Sequence, residues 1–160
     1  MITTKIMKNK YILLSLITIL ITLSSCTREK VIFTEPFFFI SDHGAANTTI
    51  SAKAEVMREY KVVLSSETLT EDVTLDYSIK AGDGLVEGKD FEIVTTEKPI
   101  VFYPGIFHSY IRILWLNNAI DLSKDNSLTI TLENNSKNFT LGYPGPDKLY
   151  GKHIITKINN

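Results

Sequence analysis

After Cys26 no stretch of helical hydrophobic periodicity exceeds two turns, and that one property excludes helical bundles and mixed α/β architectures. What remains is period two. Val73, Leu75, Tyr77 and Ile79 alternate with Thr74, Asp76, Ser78 and Lys80, and Leu128, Ile130 and Leu132 alternate with Thr129, Thr131 and Glu133. Successive side chains of a strand point to opposite faces, so each segment predicts a half-buried strand with one wet side. Tyr60–Leu64, Phe91–Val94, Ile100–Tyr103 and Ile154–Ile158 read as further strands, with a weak one over Thr49–Val56. Val31-Ile32-Phe33 and Phe37–Ile40 are apolar bursts split by Pro36, which cannot donate to a ladder and so predicts an edge or sheet-switching first strand. Tyr110–Leu116 is apolar on both faces and is expected to be central, with Ile111, Ile113 and Trp115 on one side. Turns are marked by Asp42-His43-Gly44, Ala81-Gly82-Asp83-Gly84 and Pro104-Gly105. Seven to eight short strands at this spacing predict an all-β fold, an antiparallel immunoglobulin-like β-sandwich without the antibody disulfide.

Ahead of this body the sequence has a different character. Lys5, Lys8 and Lys10 precede the apolar run from Tyr11 to Thr22, with no acidic residue among them. A basic stretch followed by about 13 apolar residues matches an export signal and is shorter than the ~20 residues of a membrane-spanning helix. The run ends in Leu23-Ser24-Ser25-Cys26, which resembles a bacterial lipobox. That resemblance implies a signal peptide over 1–25, a lipidated Cys26 opening a short tether over 26–30, and a sandwich domain over 31–160. Thr27, not an aspartate, follows the cysteine, so retention at the inner membrane is not signalled. An outer-membrane location is expected, with the periplasmic or surface face left open. Several acyl chains on one residue would give stable attachment. The alternative is an uncleaved N-terminal anchor or a buried core helix.

The remaining ~135 residues make one domain that can bury a sizeable core without disulfides. Of 17 Lys and Arg against 18 Asp and Glu, three lysines fall in the leader, leaving 14 bases to 18 acids. An acidic balance argues against a nucleic-acid partner, which would normally meet a basic face.

Gly88-Lys89-Asp90-Phe91-Glu92-Ile93, then Ile100–Gly105, then Tyr110–Ile113 and Leu128–Glu133 resemble the Calx-beta motif. The tail Phe139–Asp147 resembles Bacteroidota lipoproteins carrying an adhesin-like sandwich beside glycan-uptake systems. The first resemblance implies a sandwich that can bind calcium through acidic loops, for which Asp83, Asp90, Asp121 and Asp125 are the candidates, with Asp42 near the first turn. The late loop Asn117–Asp125 holds two acids and a lysine, so the same aspartates also read as residues capping their own turns. The second resemblance implies a link to glycan uptake or adhesion.

No catalytic pattern competes. His43, His108 and His153 lie in no zinc spacing, there is no Gly-x-Ser-x-Gly elbow, and the only cysteine is assigned to lipid. No enzymatic activity and no catalytic residue is expected. Phe139, Tyr143 and Tyr150 stand among amides, prolines and glycines, a mixture suited either to stacking on sugars or to closing one end of the sandwich. The expectation is a lipid-anchored module that binds a glycan or an outer-membrane protein. A structural lipoprotein without a small ligand is the alternative.

Overall fold

The computed structural model describes residues 34–159. The leader, Cys26, the tether and the expected strand at Val31–Phe33 lie outside the described residues. Ten strands form two five-stranded sheets, and no helix occurs among the described residues. In chain order they are β1 (Phe37–Ser41), β2 (Asn47–Ser51), β3 (Val56–Ser65), β4 (Val73–Ala81), β5 (Phe91–Ile93), β6 (Ile100–Phe102), β7 (His108–Trp115), β8 (Ser127–Asn135), β9 (Thr140–Leu141) and β10 (Lys152–Ile158). One sheet runs β5-β7-β3-β1-β9 and the other β2-β10-β8-β4-β6.

The sandwich has more strands than the expected seven to eight because several are only two to five residues long, too short for alternation to register. The weak strand expected over Thr49–Val56 divides at a turn after Ser51, and Val56 opens β3. Most pairs are antiparallel, but β1 pairs with β9, and β2 with β10, in parallel. Both exceptions follow from the way the first segment changes sheets. β1 pairs with the second half of β3, the chain bends at His43 (φ 49°) and Gly44 (φ 75°), and β2 joins the opposite sheet beside β10. Pro36 precedes this sheet-switching strand.

The alternating patterns bury as read. Val73, Leu75 and Tyr77 of β4 meet Leu128, Ile130 and Leu132 of β8, and the facing sheet contributes Phe38, Ile40, Tyr60, Val62, Leu64, Ile111, Ile113 and Trp115. Trp115 is fully buried, with Phe91 beside it at 6.2 Å between ring centroids. β7 departs from its expected doubly buried place. It lies second from the edge, between β3 and three-residue β5, and only the face of Ile111, Ile113 and Trp115 is covered.

β10 has an unexpected register. His153, Ile155 and Lys157 point inward while Ile154, Thr156 and Ile158 are half-buried on the other face. A polar side chain survives burial only with partners, and both the histidine and the lysine have them.

Candidate functional site

The loops at residues 82–90 and 116–126 and the end of β10 share one end of the sandwich, the upper end, and bring Asp83, Asp90, Asp121 and Asp125 there. Asp83 Oδ1 accepts from the Asp125 amide at 2.8 Å, and Asp125 Oδ1 accepts from the Ser127 amide at 3.0 Å. Asp121 Oδ1 accepts from the amide and hydroxyl of Ser123 at 2.9 and 2.6 Å, bonds that hold its carboxyl below its ordinary range. Gly82 allows this packing, since a Cβ there would fall 2.3 Å from the Asp125 carbonyl oxygen. Asn126 ties the loop by donating to the carbonyls of Asp121 and Lys124 at 2.7 and 3.0 Å.

Asp90 is 2% exposed and faces an internal cation. Lys157 Nζ, its side chain fully buried, donates to Asp90 Oδ1 at 3.0 Å and to the Leu116 carbonyl at 2.9 Å. Asn118 and the Val86 amide supply the other hydrogen bonds to the carboxylate, at 2.8 and 3.0 Å. Burial pushes the Asp90 carboxyl up, but the bonds from Asn118, Lys157 and Val86, with the ammonium charge, outweigh it and hold the group ionised. Calcium takes six to eight oxygens. Here a lysine ammonium holds Asp90, and the other three carboxylates are turned to backbone amides, so this donor set does not fit a calcium ion. Among the described residues no three His, Cys, Asp or Glu side chains are gathered at coordinating distance.

A second polar cluster lies where the chain changes sheets. Asp42 Oδ2 is 3.5 Å from Nε2 of fully buried His153, and its Oδ1 is 3.8 Å from Nε2 of His43, whose side chain is 91% exposed. Thr48 Oγ1 meets His153 Nε2 at 3.0 Å. The Tyr60 ring packs on His153, and its hydroxyl accepts from Trp115 Nε1 at 3.1 Å. Burial pushes the Tyr60 hydroxyl up to about 12. Burial also lowers the pKa of His153, against the opposing pull of the Asp42 carboxylate and the Ala45 carbonyl. A 160 Å³ cavity lined by Asp42, His43, Thr48, Arg58 and Tyr60 opens beside the cluster. Sequence reasoning missed it because His43 and His153 are far apart in the chain and meet only through the β1–β2 crossover and the β10 register.

The aromatic candidates separate. Phe139 lies on core Phe38 (6.2 Å between centroids), in a turn that buried Asn135 fixes through its amide and carbonyl. Tyr143 packs on Phe37 and Phe39 at 5.5 and 5.0 Å, on the outer face of β1, with Tyr150 beside it at 4.9 Å. The Tyr150 hydroxyl donates to the Gly44 carbonyl at 2.9 Å. This aromatic patch continues across the sheet. Phe39, Val63 and His108 stand in one row, and Ser41, Lys61 and Tyr110 in the next. Arg112 lies over the Tyr110 ring at 5.8 Å while pairing with Glu59 at 2.8 Å, and His108 meets the Tyr110 ring at 5.6 Å. The sequence showed these residues only as the outward half of alternating strands.

Neither protein-family models nor curated proteins match the chain. Among solved structures, the crystal structure of CBD12 from CALX1.2 aligns with a TM-score of 0.55 at 17% identity, over 77% of this chain. The alignment spans 44% of that chain, so this protein covers less than half of its neighbour's length. The likeness extends to the fold, a Calx-beta-like β-sandwich.

Proposed function

We propose that this chain is a lipid-anchored, non-enzymatic module of the outer membrane that binds glycan on the outer face of the β5-β7-β3-β1-β9 sheet. The observation that carries the reading is the continuous aromatic and polar surface formed by Tyr143, Phe39, His108, Tyr110, Lys61 and Arg112. Sugar rings stack on aromatic faces through their C–H surface, while imidazole, ammonium and guanidinium groups donate to hydroxyls. The link to glycan uptake rests on the resemblance of the tail alone.

Thr34 enters at the lower end, where the loops at 66–72, 103–107 and 136–139 gather.

β2 supports the scaffold alternative, because it is the edge of its sheet and, among the described residues, its outer side has no strand partner. Such an edge can accept a strand from a neighbouring protein. A glycan array with the full-length protein separates the two. Binding that falls at least about tenfold in Tyr110→Ala supports the glycan reading; silence on the array with a co-purifying membrane protein refutes it in favour of the scaffold. Loss of membrane association after alkaline washing is expected for Cys26→Ala, and its retention would refute the anchor.

A further inference from the structure

Lys61 stands on the outer face of the β5-β7-β3-β1-β9 sheet, and among the described residues no carboxylate lies within ion-pair distance of it. Resting on the glycan reading of that face, we propose that the ligand is an acidic glycan. Lys61 receives an oxyanion borne by the sugar, carboxylate or sulfate ester, while the ring stacks on Tyr110.

The sheet register sets the arrangement. Ser41, Lys61 and Tyr110 are cross-strand neighbours in one row, and Phe39, Val63 and His108 form the next. Facing side chains on paired strands stand ~5 Å apart at Cβ, so the half-buried stem of Lys61 runs between Ser41 and Tyr110 and its ammonium reaches solvent. The Tyr110 ring is framed by His108 at 5.6 Å and Arg112 at 5.8 Å. A pyranose stacks through its C–H face, and a uronate or a sulfated sugar carries its anion at the rim of the ring. Stacking on Tyr110 therefore presents the anion to the adjacent strand, ~4.8 Å away, where Lys61 stands.

The nearby carboxylates are engaged elsewhere. Glu59, two residues before Lys61 and on the same face, accepts from Arg112 Nε at 2.8 Å. Asp42, just past Ser41, turns to His153 at 3.5 Å. Glu92 faces Leu114 in the row of Met57, four residues or ~13 Å along β3 from Lys61. Charges are screened over ~8 Å at physiological salt, so neither Glu92 nor the acidic balance of the whole body offsets Lys61 locally. An ammonium left in this state gains a charge-assisted hydrogen bond from an anionic ligand, stronger than the one a neutral hydroxyl gives. Arg112 is tied through Nε to Glu59, which leaves Lys61 as the point of discrimination.

The test is an array of matched oligosaccharides, probed with full-length protein in detergent. Each set holds a uronate oligomer, its carboxyl-reduced neutral form and a sulfated form of that neutral chain, on galactan, glucan and mannan backbones. In at least one set an acidic member is expected to bind at least about tenfold tighter than the neutral one, and the member that does so tells carboxylate from sulfate. Lys61→Met should abolish that preference while keeping the neutral affinity within about twofold, whereas Tyr110→Ala should weaken acidic and neutral binding alike. Lys124→Met, in the upper-end loop, should bind as wild type does. Equal urea midpoints for Lys61→Met and wild type separate a lost contact from a lost fold. Neutral members bound as tightly as acidic ones, or an acidic preference that survives Lys61→Met, would overturn the proposal and leave the glycan reading standing. Silence of every set would overturn both.

Discussion

Replacing Lys157 by methionine keeps most of the side-chain volume and removes the cation that faces Asp90. The carboxylate stays 2% exposed, and it keeps Asn118 and the Val86 amide as donors at 2.8 and 3.0 Å while losing the ammonium at 3.0 Å. The Leu116 carbonyl loses its 2.9 Å donor as well. Breaking a buried ion pair from one side costs about 3–5 kcal/mol. The two surviving donors put Lys157→Met near the lower bound, at about 3 kcal/mol. Asp90→Asn leaves an ammonium among carbonyls with no counter-charge, and about 4 kcal/mol is expected. The double variant leaves no orphaned charge and should lie closer to wild type than the sum of the singles, with a coupling of at least about 2 kcal/mol. Urea unfolding followed by the fluorescence of Trp115, the only tryptophan, gives all four corners of the cycle. Lys157→Met costing under about 1 kcal/mol, or additive singles, would refute the account of Lys157 as the internal cation of the upper end.

Calcium is expected to shift the melting temperature by less than about one degree, whereas a shift of several degrees abolished by chelator would refute the reading of the upper-end aspartates as turn residues. His153 titrates lower in the folded chain than its ordinary value of about 6.5, so its contribution is complete above that pH and is lost as pH falls through the folded pKa; urea midpoints should decline over that acid window, and a flat profile would contradict the buried neutral imidazole. Asp90 has the same sign at lower pH, with stability present above about pH 4 and lost as pH falls through its depressed folded pKa. Gly142→Ala should cost at least about 2 kcal/mol, because the residue holds φ +83° and a Cβ would fall 2.1 Å from the Lys148 carbonyl oxygen; a smaller loss in urea unfolding would show that the loop gives way.

The strands were legible where alternation ran for several residues, as in β4 and β8, and the core position of Trp115 followed from the same rule. What sequence could not show depends on register and on contacts across the chain. Ile154-Ile155-Thr156-Lys157-Ile158 offers apolar residues to either face, and only the partners of His153 and Lys157 decide which side is inward. Asp90 was visible as a motif residue, but its lysine partner 67 positions later was not. The outer-face patch was invisible for the opposite reason, because exposed members of an alternating strand look like ordinary surface until the rows of neighbouring strands are aligned.

The sheet switch of the first segment also bears on mechanics. β1 starts at the lower end and β10 finishes at the upper end, so tension between the two ends of the described chain runs along the strands. Because β2 and β10 are parallel, that tension slides one past the other and loads their hydrogen bonds together, whereas force on a hairpin opens bonds singly. A domain held by one end and tugged at the other is thereby braced along its line of pull. Stretching by residues 34 and 159 should require higher rupture force than stretching by residues 131 and 152, which peels antiparallel β8 from β10 at their paired ends.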